Sequence, residues 1–103
     1  MKILGQEYEV IHDESLIDEN CDGLCLGYSK KIKIRPMDKM LDASDGKEEK
    51  RKRYNEVLRH EAVHAFFIES GLQCYANNEE LVDWIANQFP KMLEAFKEYK
   101  CLE

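Results

Sequence analysis

His60 and His64 stand four residues apart, with Glu61 between them, in the run "VLRHEAVHAFFIESG" from Val57 to Gly71. On an α-helix, residues four apart lie on one face. Both imidazoles can then point at one ion, and neutral imidazole is a common zinc ligand at about 2.0–2.1 Å. Glu61 lies too far round the helix to ligate comfortably. It borders the open side of such an ion, where a bound water needs a base, which is the mechanical content of H-E-x-x-H on a helix. A chance match in a chain of this size is on the order of one in a few hundred. The plain alternative is two partly exposed histidines on a helix surface. Against it, Ala62, Val63, Ala65, Phe66, Phe67 and Ile68 make the segment apolar nearly all round. That pattern predicts a largely buried helix, in which imidazoles need partners.

A catalytic zinc needs a third protein ligand and one open position. The stretch "NNEELVDWIA", Asn77 to Ala86, offers candidates. Glu79 and Asp83 share a helix face, as do Glu80 and Trp84. If Asn77 caps the helix, Glu80 sits at N3 and closes a capping box back to it, leaving Glu79 for the metal. Asp83, one turn on, could accept the remaining N–H of a ligating histidine and fix its tautomer. The plain reading, an acidic first turn favoured by the helix dipole, is kept for Glu80.

These side chains need a scaffold. Period-2 alternation marks "KILGQEYEVI" (Lys2 to Ile11), "GLCLGYSK" (Gly23 to Lys30) and "KIKIRP" (Lys31 to Pro36) as strands. In the second, Leu24, Leu26 and Tyr28 share a face; in the third, Ile32 and Ile34 face in. The last two runs are separated by so little that a hairpin is expected, and Pro36 suits the end of an edge strand. Asp45 with Glu48 resembles a capping box, opening a helix from about Lys47 to Glu69 that Gly71 stops. A second helix starts at Asn77 or Asn78 and runs through "KMLEAFKEY", with Pro90 kinking or breaking it because no N–H meets the Ala86 carbonyl. The expectation is a single α+β domain over residues 1–103: a two- to three-stranded, mainly antiparallel sheet packed against an active-site helix and a second long helix. Phe66, Phe67, Trp84, Phe89 and Phe96 are expected to pack between helices and sheet.

"HEAVH" followed by "NEELVD" resembles the gluzincin pattern of thermolysin-type zinc peptidases, H-E-x-x-H then N-E-x-x-x-D. In size and layout the chain is similar to the small, phage-associated ImmA/IrrE-like metallopeptidases. The resemblance implies one Zn2+ per chain held by His60, His64 and Glu79, with Asp83 hydrogen-bonded to a histidine and Glu61 as general base. It implies peptide-bond hydrolysis in a protein substrate such as a regulator. It also implies that "KIKIRP", with Lys31, Ile32, Lys33 and Ile34, is the edge strand that pairs with extended substrate. Only 14 residues separate His64 from Glu79, which leaves little room for the substrate-binding elements of larger peptidases. Tyr75, His12, Tyr28 and Arg35 are candidate donors to the oxyanion, and the sequence does not choose among them.

Composition bounds the rest. The chain has 103 residues, 44% hydrophobic and 35% charged, with a net charge of −6. That balance argues against general nucleic-acid or anionic-membrane binding. The one basic run, "KEEKRKR" from Lys47, reads as a solvated helix face. No stretch reaches the ~20 apolar residues of a membrane span and the start has no secretory core, so a cytoplasmic protein is expected. Cys21, Cys25, Cys74 and Cys101 match no common zinc ribbon and read as reduced, semi-buried hydrophobes. The competing function is a zinc-stabilised interaction module that no longer cleaves; the intact Glu61 counts against it. Oligomeric state is not legible.

Overall fold

The computed structural model describes residues 1–103. Its strands are β1 (Lys2–Ile3), β2 (Gln6–Glu7), β3 (Glu9–His12), β4 (Gly23–Leu26) and β5 (Lys31–Ile34). Its helices are α1 (Ser15–Asp18), α2 (Lys47–Glu69), α3 (Gln73–Ala76) and α4 (Glu79–Glu98). The expected α+β class holds: two small sheets pack against α2, and α4 packs beside it. No helix is long and apolar enough to cross a membrane.

The first expected strand is in fact broken. Leu4 and Gly5 both take positive φ, 48° and 86°, the conformation of a two-residue hairpin turn. Lys2 and Ile3 therefore pair antiparallel with Glu7 and Gln6, and β3 starts afresh at Glu9. The expected β4–β5 hairpin is present, with Cys25 opposite Ile32 and Leu24 opposite Lys33. The larger sheet has the order β3-β5-β4, and β3 runs parallel to β5. β5 is thus the central strand, and Lys31, Ile32, Lys33 and Ile34 have backbone partners on both sides. The edge-strand assignment of "KIKIRP" is wrong for that reason; the open edge on that side of the sheet is β4.

Ile32 and Ile34 do face in. Ile32 joins Ile3, Tyr8 and Ala65 in one core cluster, and Ile34 joins Met40 and Val57 in another. On β4 the inward face is the small one: Cys25 packs on the core, while Leu24 and Tyr28 are exposed.

Above the sheet, α2 buries only Val57, Glu61 and Ala65. The expectation of a helix buried nearly all round does not hold, because the sheet covers one face and α4 part of another. Phe66, Trp84, Phe89 and Phe96 are likewise exposed rather than core. Phe66, Phe67, Val63, Leu72, Ile85 and Phe89 line an apolar cleft of about 490 Å³ between α2 and α4.

The helix ends follow local chemistry, with two changes from expectation. α2 is capped by Gly46, and the Asp45 carboxylate instead accepts from the Asp42 N–H. At its other end Gly71, at φ 74°, donates to the Ile68 carbonyl and Leu72 donates to Phe67, a Schellman stop as expected. α4 is continuous through Pro90. The Ala86 carbonyl that Pro90 cannot serve accepts from Arg59 Nε at 2.8 Å, so the missing helix bond becomes a tie to α2.

A second tie anchors the end of α2 to the sheet side. The buried Tyr8 donates its hydroxyl to Glu69 Oε2 at 2.6 Å, and Lys30 Nζ donates to the same oxygen at 2.6 Å. These bonds, Lys30 first, hold the Glu69 carboxyl below its usual range. A depressed carboxyl stabilises the fold above its unfolded pKa, and that contribution is lost as pH falls through the folded one. Glu69→Gln is therefore expected to lower the melting temperature at pH 7, with the deficit shrinking as pH drops below about 4.3. Tyr8→Phe, which removes one hydrogen bond to a charged group, should cost about 1.5 kcal/mol by denaturant titration.

Candidate metal centre

The helix α2 carries His60 and His64 one turn apart, with ring centroids 4.8 Å apart. α4 brings the third group. Asn78, not Asn77, is its N-cap, accepting from the Leu81 N–H at 3.1 Å. The Asn77–Glu80 capping box is thus absent, and Glu79 is free as the first helical residue for a different reason than the sequence offered. Glu79 Oε2 lies 3.0 Å from His60 Nε2, and Oε1 lies 3.1 Å from His64 Nε2. His60, His64 and Glu79 form a group that could hold a metal ion.

The other imidazole nitrogens fix the tautomers. His60 Nδ1 lies 2.7 Å from Asp83 Oδ1, the carboxylate expected to orient it. His64 Nδ1 lies 2.6 Å from the Ala76 carbonyl. A carbonyl and a carboxylate only accept, so both hydrogens sit on Nδ1. The two Nε2 atoms then face each other at 3.1 Å, beside the Glu79 carboxylate. Two imidazole nitrogens and a carboxylate this close together are a donor set suited to a cation. α3 matters here: one helical turn after Gly71 delivers the Ala76 carbonyl to His64. In the sequence this turn, within "LQCYAN" from Leu72 to Asn77, is too short to show a helical period.

Glu61 is 7% exposed and is the one buried charged residue of the chain. Burial pushes its carboxyl up to about 7; His64 opposes the shift and Glu79 adds to it. It faces a cleft of about 410 Å³ shared with the metal group, walled by Gly23, Leu24 and Cys25 of β4 and by Ala76 and Asn77. Burial, with Glu61 and Glu69, pushes the Cys25 thiol up to about 11, so it stays neutral in that wall. Cys21 and Cys25 are semi-buried as expected, whereas Cys74 and Cys101 are exposed.

None of the four expected oxyanion donors lines the cleft. His12 stacks on Tyr54, with its Nε2 2.7 Å from the Tyr54 hydroxyl. Tyr75 is exposed against Phe67. Tyr28 points fully into solvent, and Arg35 is spent on the Cys21 carbonyl. The lining side chain with an uncharged N–H donor is Asn77. Its Oδ1 accepts from Gln73 Nε2 at 3.1 Å, which leaves Nδ2 free. In the sequence Asn77 stands, with Asn78, only as a candidate cap, and nothing local marks its place on the cleft.

Comparison of the chain with protein-family models, with curated proteins and with solved structures finds no match in any of the three.

Proposed function

We propose that the chain is a minimal zinc metallopeptidase, of the gluzincin type that its motifs resemble, acting on a peptide bond in a protein substrate. The observation that carries this reading is the place of Glu61. A metal site that only stabilises a fold has no use for a buried carboxylate in the same cleft, yet Glu61 is buried there beside the histidines. The donor atoms fit the ion: ligands at about 2.0–2.1 Å in tetrahedral array lie about 3.3 Å apart, against 3.0 and 3.1 Å between Glu79 and the two histidines.

Zinc held there supplies a Lewis acid that acidifies water and polarises a carbonyl. Glu61 takes the proton of the attacking water and hands it to the leaving amine. The Asn77 amide is the donor at hand for the developing oxyanion. The open edge of β4 supports extended substrate by backbone pairing, the role that the sequence had given to β5. Asp83 and the Ala76 carbonyl keep both histidines in the ligating tautomer. The four cysteines are free thiols, which suits a reducing, cytoplasmic setting.

The test is metal quantification on protein purified without chelator, together with cleavage of casein and of a random peptide library. One zinc per chain and new amino termini are expected. Zinc without cleavage overturns hydrolysis and leaves a silent binding module; no zinc overturns both. Asp83→Ala should weaken zinc binding about 10–100-fold in competition with a chromophoric chelator. Unchanged affinity would remove Asp83 from the site.

A further inference from the structure

The cleft wall opposite the metal group begins at Gly23, the first residue of β4. A Cβ built on Gly23 would stand 2.8 Å from Val57 Cγ1, 3.0 Å from Glu61 Cγ and 3.2 Å from Glu61 Oε2. Real Cβ atoms do not approach carbon at the first of these distances, and the other two are tighter than ordinary contact. The backbone of Gly23 is not in the left-handed region, so glycine is not required there for conformation. It is required for space. Gly23 pairs with Ile34, which is itself packed against Val57, so β4 cannot simply lean away from the helix.

We infer that Gly23 is the positioning residue for Glu61: by lacking a side chain it lets the open edge of β4 lie directly on the Glu61 carboxylate. The strand backbone then limits where that carboxylate can swing. Val57 and Glu61 are four apart on α2 and present one continuous surface to β4. A methyl group at position 23 meets both, and the Glu61 side chain is the longer and more easily displaced. A displacement of about 1 Å at a reacting group is enough to cost on the order of 10²-fold in rate. This inference rests on the proposed hydrolysis for its kinetic consequence, but the geometry of Glu61 can be read without it.

The experiment compares wild type, Gly23→Ala, Val57→Ala and the double variant Gly23→Ala/Val57→Ala. The Glu61 carboxyl 13C resonance is recorded at fixed pH in the protein as purified, and zinc stoichiometry, kcat and KM on a cleaved peptide are measured. Gly23→Ala is expected to shift the carboxyl resonance, keep one zinc per chain and lower kcat by about 10- to 100-fold with KM little changed. The double variant removes the closest clash and restores packing room, yet should keep both the shifted resonance and the low kcat, because the contact with Glu61 persists. Should Gly23→Ala itself fail to fold, the double variant alone decides. A wild-type resonance and kcat in either Gly23→Ala protein would overturn the inference, as would full rescue by Val57→Ala, which would reduce Gly23 to a packing role. Absence of cleavage by wild type would instead overturn the hydrolytic reading, and the carboxyl resonance would still decide the placement of Glu61.

Discussion

Glu61→Gln is expected to keep one zinc per chain and to lose peptide hydrolysis by about 10²–10⁴ in kcat, the usual worth of a general base. The exchange is nearly isosteric, so the cleft keeps its shape. Glu61 belongs to none of the contacts among His60, His64, Glu79 and Asp83, so the ligand set should survive. What disappears is a carboxylate able to accept a proton from water. KM should change little, because Glu61 is buried in the wall and offers little surface for binding. Joint loss of zinc and activity would make Glu61 structural; retained cleavage would place the base elsewhere.

Zinc removal should have the second-largest effect, this time on stability. Only 12 of the 103 residues are buried, so the core is thin and any added link between elements counts. The ligands join α2 to the start of α4, and Glu79 is 66% exposed, held there by nothing but the histidines it faces. At free zinc a thousandfold above Kd the folded state gains about 4 kcal/mol. For a domain near this size that is roughly 15–30 °C in melting temperature. Scanning calorimetry with and without chelator should show the drop. His64→Ala, which leaves two ligands, should melt near the chelated wild type and ignore added zinc. A melting temperature indifferent to chelator in the wild type would remove zinc from the stability of the fold.

The legible parts of the site were those whose spacing a single helix fixes. His60 and His64 share a face wherever the helix sits, and Glu79 with Asp83 likewise. The motif therefore survived errors in its surroundings, including the absent Asn77–Glu80 capping box. The cleft wall was not legible. Whether β4 or β5 lies at the edge depends on β3 running parallel to β5, a pairing between distant segments with no local mark. β4 also hid its inward face: its larger residues, Leu24 and Leu26, mimic a buried face, while the face turned to α2 holds Gly23 and Cys25. The aromatic residues were misread for a third reason. Apolar character sets what a residue would gain by burial, and a three-stranded sheet cannot cover two long helices on all sides. Pro90 was half legible. The loss of the Ala86 bond could be foreseen, but the guanidinium that replaces it comes from Arg59, 27 positions earlier in the chain.

The whole ligand set, with the carbonyl and carboxylate that orient it, lies between His60 and Asp83, on helices joined by one short turn. Such contacts close early, because little loop entropy stands against them. Gly23 and its strand arrive from much farther along the chain and need the three-stranded pairing first. In the proposed enzyme, metal capture and hydrolytic competence therefore rest on contacts of different range. The proposed ligands need only the two helices and their connection, whereas confinement of the base also needs the three-stranded sheet, so a substitution that loosens the sheet is expected to impair hydrolysis before metal capture.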